Sequence, residues 1–256
     1  MSNYLISNRW MLFANSLIFL FLLNFLPMKG QFESKYSMSL GINTTAIIGD
    51  NPASKKMFDR ESDVFGGGFL GAQLGVSFRV FTSLDEDENF ILPIGIDYNF
   101  YRGVERYPIS KFISVKRHHK TDIPTFVAGL NYNFIRWPLA SAKGYIGIEA
   151  RGALISQGRI DDTEEYFLFD STYTRAADTK EAAFRLGCAI RLGIEGQLHK
   201  KFFVNFSGAV GVVNLIGRDD SRGELLTPFR KVPFYEEGKE SLVFIFQYAF
   251  TIQYKL

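Results

Sequence analysis

The chain has 256 residues and a formal net charge of +2, and 16% of its residues are aromatic, 26 of them Phe and 12 Tyr. That length fits one all-β domain, and the near-neutral balance excludes a general nucleic-acid binder, which would be clearly basic. With 22% charged residues the composition is not that of a disordered chain, and the single cysteine, Cys188, excludes an internal disulfide and a cysteine-rich metal site.

Residues 1–30 read as a secretory signal helix. Arg9 precedes an apolar run from Trp10 to Leu26, and Lys29-Gly30 then opens a polar stretch. Residues 31–256 form the expected mature domain. Loss of residues 1–30 removes Arg9 and Lys29 and no acid, leaving 27 basic and 27 acidic residues. No helix-length apolar run follows, so a mature protein in a membrane must span it as a closed sheet.

Beyond residue 30 the pattern has period two, and eight segments carry it: around 35–48, 69–82, 90–101, 123–135, 145–156, 183–198, 202–214 and 242–256. In the first, Tyr36, Met38, Leu40 and Ile42 alternate with Ser37, Ser39, Gly41 and Asn43. In the sixth, Phe184, Leu186, Cys188 and Ile190 alternate with Arg185, Gly187, Ala189 and Arg191. The last puts Phe244, Phe246, Tyr248, Phe250 and Ile252 on one face and Gln247, Thr251, Gln253 and Lys255 on the other. Successive strand side chains point to opposite faces, so each segment has a large apolar face and a small polar one. Pro93 and Pro124 are expected near strand ends or bulges.

The interior of an eight-stranded barrel is only wide enough to be filled by side chains. Rings of Phe and Tyr do not fit there, whereas Gly, Ser and Asn with a few long charges do. The aromatic face is therefore the outside, which is the transmembrane barrel pattern. Short turns are expected at Ser83–Asn89, Trp137–Gly144 and His199–Lys201, and long loops at about 49–67, 102–121, 157–182 and 215–240. Short periplasmic turns alternating with long external loops are a property of outer-membrane barrels. The fold class is all-β: an antiparallel up-and-down transmembrane barrel of about eight strands behind an N-terminal signal helix.

Three stretches carry a family resemblance: Leu92-Pro93-Ile94-Gly95-Ile96-Asp97-Tyr98-Asn99-Phe100, Gly129-Leu130-Asn131-Tyr132-Asn133-Phe134, and the terminal strand. On these the mature chain resembles small outer-membrane barrels of the OmpA/OmpX type and related porin-family and PorT-like barrel domains of Gram-negative bacteria. The resemblance implies residence in the outer membrane, contact with its lipids, and insertion by the barrel assembly machinery. That machinery's signal would be Tyr248, Phe250 and Tyr254, with Leu256 in place of a terminal aromatic.

The chemistry-bearing candidates are few. Arg79, Asp97, Glu149, Arg151, Arg185, Arg191, Glu195 and Lys255 fall on the small face and are expected to form a charge network across the lumen. Buried charges must be paired, so a closing salt-bridge plug is expected, with a narrow selective pore as the alternative. Arg102, Arg106, Lys111, Lys116, Arg117 and Lys120 in the 102–121 loop are candidates for binding anions such as lipopolysaccharide phosphates. Asp161, Asp162, Glu164, Glu165 and Asp170 in the 157–182 loop could pair with them instead. Tyr166, Phe167, Phe169 and Tyr173 add aromatic surface there.

Enzyme readings are weak, because His118, His119 and Asp122 lack the orienter and oxyanion donors that catalysis requires. Adjacent histidines on a strand point apart, which disfavours a metal. Asp85-Glu86-Asp87-Glu88-Asn89 reads as a solvated turn rather than a calcium loop. Gly66-Gly67-Gly68-Phe69-Leu70-Gly71 spells a dinucleotide motif but precedes a strand, not a helix. No catalytic residue, cofactor or metal is expected. The expected protein is a monomeric, non-enzymatic barrel presenting four long loops to lipopolysaccharide or an external partner. The alternatives are a narrow porin-like channel, a secretion or assembly component, and, last, a rim enzyme acting on lipid or peptide.

Overall fold

Large apolar residues at every second position make one face of each segment a lipid surface, and the hydrogen-bond register then joins those faces side by side. The computed structural model describes residues 35–48, 73–178, 181–219, 225–226 and 240–256. The signal segment, loop 49–67, the Gly66–Gly71 run and most of loop 215–240 lie outside the described residues.

Ten strands are described: β1 (Tyr36–Ile48), β2 (Gln73–Ser83), β3 (Phe90–Ser110), β4 (Ile113–Trp137), β5 (Ala142–Ile155), β6 (Arg159–Tyr166), β7 (Ser171–Asp178), β8 (Ala183–His199), β9 (Phe202–Ile216) and β10 (Phe244–Lys255). Eight of them form the wall, in the order β1-β2-β3-β4-β5-β8-β9-β10. The last strand pairs antiparallel with the first, from Ser37 against Lys255 to Ile48 against Phe244, and this closes the ring. Closure leaves no wall edge to be satisfied by lipid.

The register aligns the apolar faces into a belt. Leu130, Ile148, Ile190, Val210 and Phe246 sit side by side on five adjacent strands, and all five are exposed. At the short-turn end aromatic pairs flank the belt, Phe90 with Tyr132 at 5.2 Å and Phe202 with Tyr254 at 5.1 Å between ring centroids. Such an outer surface over a polar interior is a transmembrane barrel. Inside, Ser39, Asn43, Ser77, Asn131, Ser207 and Gln253 are buried. Tyr145 enters the lumen where a glycine faces it: a Cβ on Gly193 would lie 2.4 Å from its ring.

Three expectations need correction. The stretches 102–121 and 157–182 are not loops. β3 and β4 continue as one hairpin to a turn at Lys111-Phe112, and β6–β7 is a second hairpin hydrogen-bonded to it, Ile113 against Tyr166 through Lys120 against Arg159. β4 thus belongs to the barrel through its C-terminal half and to a four-stranded external sheet, β3-β4-β6-β7, through its N-terminal half. Second, Pro124 is inside a strand. It lies where the second neighbour of β4 changes from β6, last paired at Lys120, to β5, first paired at Thr125, so its missing N–H interrupts neither of those two ladders. Third, the lumen is not polar throughout. Towards the long-loop end it holds an apolar cluster of Ile47, Tyr101, Ile123, Ala153, Ile155, Ala183 and Val243, joined by Leu225 and Leu226 from the last long loop.

Candidate functional site: the lumen and the external sheet

The lumen charges lie at three depths. At mid-height, Asp97 from β3 and Glu149 from β5 are fully buried among Arg79, Arg151 and Arg191. Arg79 donates to Glu149 Oε1 at 2.5 Å and to Asp97 Oδ2 at 2.9 Å. Arg151 donates to Asp97 Oδ2 at 2.8 Å, and Arg191 to Glu149 Oε1 at 2.5 Å. Ser77 donates to Asp97 at 2.7 Å, and Arg191 reaches Gln247 Oε1 at 2.8 Å. Strand parity alone delivers these side chains inward. Each carboxylate then accepts from more than one guanidinium, which offsets the cost of burial.

Towards the long-loop end, Arg185 grips Glu240 through two nitrogens, at 2.9 and 2.7 Å, and Asn214 donates to the same carboxylate at 2.8 Å. Burial pushes the Glu240 carboxyl up, but the hydrogen bonds from Arg185 and Asn214 outweigh it and hold the group below its ordinary value. At the short-turn end, Glu88 accepts from Lys255 at 2.9 Å and from Lys143 at 3.2 Å, and Lys143 also meets Glu195 at 3.1 Å. Lys255 sits 4.8 Å over the Phe203 ring. A pocket of about 340 Å³ opens there, lined by Glu88, Arg136, Trp137, Lys143, Glu195 and Phe203 among others.

The eight expected lumen charges are therefore all buried or half-buried inside, but in separate clusters rather than one network. Sequence reasoning missed Glu88, Lys143 and Glu240 as lumen groups. Glu88 and Glu240 reach the lumen from a turn and a loop, where strand parity says nothing. A signal for them existed: the expected set held five bases and three acids, and buried charge calls for more carboxylates than that.

The Asp85–Asn89 turn is tied down. Asp85 accepts from the backbone N–H groups of Asn89 at 3.0 Å and Phe90 at 2.8 Å, while Asn133 and Arg136 hold the carbonyls of Glu88 and Asp87. Asp85 is thereby spent on capping and Glu88 on lysines, and no metal-holding cluster occurs among the described residues.

On the external sheet the register sets Arg102 opposite Lys120 and Arg106 opposite Lys116, while Lys111 stands at the turn. Arg117 faces inward and clasps Asp162 with two bonds of 2.7 Å. Lys120 pairs with Asp161 at 3.0 Å and Arg102 with Asp122 at 2.7 Å. Lys111 and Lys116 are exposed, and the Arg106 side chain lies outside the described residues. Hydrogen bonds from Lys120 and Arg159 hold the Asp161 carboxyl below its ordinary value. His118 and His119 alternate across the strand, and only His119 is buried. The two hairpin tips meet through Phe167 N–H donating to the Phe112 carbonyl at 2.9 Å. Phe112, Phe167, Leu168 and Phe169 are all exposed there, Phe169 at 77%.

No family model and no curated protein matches the chain. Among solved structures it is similar to Neisserial surface protein A at 12% identity, covering 87% of this chain and 98% of that one, TM-score 0.42. It is also similar to Ail, the attachment invasion locus protein of Yersinia pestis, at 12% identity, covering 87% and 99%, TM-score 0.30. A third similar structure is the outer membrane protease OmpT of Escherichia coli, at 8% identity, covering 86% and 96%, TM-score 0.35.

Proposed function

We propose that the chain is a non-conducting barrel of a Gram-negative outer membrane, a monomeric, non-enzymatic platform that holds a stiff external sheet towards an outside partner. The observation that carries this reading is the mid-lumen cluster, where Asp97 and Glu149 are 0% exposed among three guanidinium groups. An ion crossing there would have to part charge-assisted pairs in a narrow interior. With the lumen occupied by its own side chains, the working surface is the sheet outside.

The sheet suits that role. Two hairpins share a continuous hydrogen-bond ladder, so their apolar tip stands on fixed backbone rather than on a loose loop. Exposed Phe112, Phe167, Leu168 and Phe169 supply the aromatic and aliphatic anchors that interfaces favour. Of the six cations proposed for anion binding, Lys111 and Lys116 are exposed on the same sheet, and a lipopolysaccharide phosphate suits their charge.

Planar-bilayer recording tests the closed lumen. The purified barrel should insert without discrete current steps, and loss of Arg79 together with Glu149 should produce them. Reproducible, charge-dependent conductance of the wild-type protein would sink the platform reading and favour a pore.

A further inference from the structure

Beyond the platform role, the geometry points to a ligand site in the outer chamber of the lumen: a pocket for a small monocarboxylate with an apolar body, its anion held by Arg151.

The mid-lumen cluster is not balanced among the described residues. It sets three guanidinium groups, Arg79, Arg151 and Arg191, against two carboxylates, Asp97 and Glu149. The excess localises at one atom. Arg151 is 3% exposed and spends Nη2 on Asp97 and Gln247. Among the described residues its Nη1 is buried with no hydrogen-bond acceptor, 3.9 Å from an oxygen of Glu149. A buried guanidinium left part-satisfied is costly, and a further anion would relieve both the charge and the unmade bond.

Arg151 also lines the cavity between the charge cluster and the apolar layer. Thr45, Asn99 and Thr125 share its floor, while Ile47, Tyr101 and Val243 belong to its walls. One polar, cationic end and one apolar end match an amphiphile. A halide in the same place would exchange its hydration for a chamber whose walls are largely hydrocarbon. A carboxylate on an apolar body suits both ends.

Leu225 and Leu226 now take the room such a body would use. They are 2% and 8% exposed, and with them in place the cavity is about 20 Å³, enough for one water. Binding therefore requires the two leucines to yield, and trimming one should help the ligand. The site is a dead end facing outward, since the ion cluster closes the lumen beneath it.

The test is equilibrium dialysis of radiolabelled butyrate against the whole folded barrel in detergent micelles at neutral pH, with chloride as competitor. Wild type should bind one equivalent saturably, and Leu226→Ala should bind more tightly. Arg151→Gln should weaken binding roughly tenfold or more, the scale of a lost hydrogen bond to a charged group. Ala153→Phe leaves the ion cluster intact and fills the chamber, so it should abolish binding and keeps the test decisive if Arg151→Gln fails to fold. Absence of saturable binding in both wild type and Leu226→Ala, full competition by equimolar chloride, or undiminished binding by Ala153→Phe would each overturn the assignment.

Discussion

Arg79 on β2 and Glu149 on β5 meet across the lumen at 2.5 Å, although their strands are not neighbours in the wall. The bond therefore braces the barrel across its width, where backbone hydrogen bonds act only between adjacent strands. Removing one partner leaves the other charge buried. Glu149→Ala should cost about 3–5 kcal/mol, the range for an orphaned buried charge. Urea unfolding of the refolded barrel in lipid vesicles reads this directly. A cost under 1 kcal/mol would mean that water reaches the site.

Glu88 gives the foot of the barrel a pH dependence. Burial pushes its carboxyl up, but the hydrogen bond from Lys255 and the charge of Lys143 outweigh it, so it sits below the ordinary glutamate value. A carboxyl depressed in the folded state stabilises that state above its unfolded pKa. The contribution is lost as pH falls through the lowered folded value. Wild type should therefore be more stable than Glu88→Gln at pH 7, and the gap should close below about pH 4. A pH-independent gap would assign the effect to shape rather than charge.

Arg117 should control the external sheet without touching the wall. Its two bonds to Asp162 tie β6 to β4. Arg117→Lys keeps the charge but loses the two-pronged geometry. Amide exchange across Arg159–Tyr166 should rise in that variant, while β8 to β10 stay protected. Cold-SDS gel mobility should match wild type. Equal exchange in both proteins would show that the backbone ladder alone fixes β6.

The belt makes a depth prediction. Ile148 is 66% exposed and lies between Leu130 and Ile190. Ile148→Arg should cost about 2–4 kcal/mol if this row marks the mid-plane of the bilayer. The same change at Phe202, near the short-turn end, should cost about 0–1 kcal/mol. Equal costs at both positions, read from unfolding in vesicles, would displace the belt from where it is drawn.

What could be read beforehand follows from solvent contrast. β8 and β10 border lipid on one side and a packed lumen on the other, so Ile190 against Arg191 and Phe246 against Gln247 declare the strand at once. The external sheet has no such contrast. Lys116, His118 and Lys120 alternate with Val115, Arg117 and His119, so both faces carry charge and the pattern reads as a loop. Only the partner hairpin reveals it as strand. The apolar layer escaped for a related reason: Ile47 and Tyr101 sit on the parity of the small face and were outvoted by the Ser and Asn around them. The clusters at either end escaped because the lumen borrows carboxylates from connections.

β4 runs unbroken for 25 residues, half in the wall and half in the external sheet. A pull on the aromatic tip is thus delivered along a strand whose lower half is laddered to β3 and β5. Force along that axis loads many hydrogen bonds in shear at once, rather than unzipping them singly. Along that axis the strand is held by two ladders together rather than by one bond at a time.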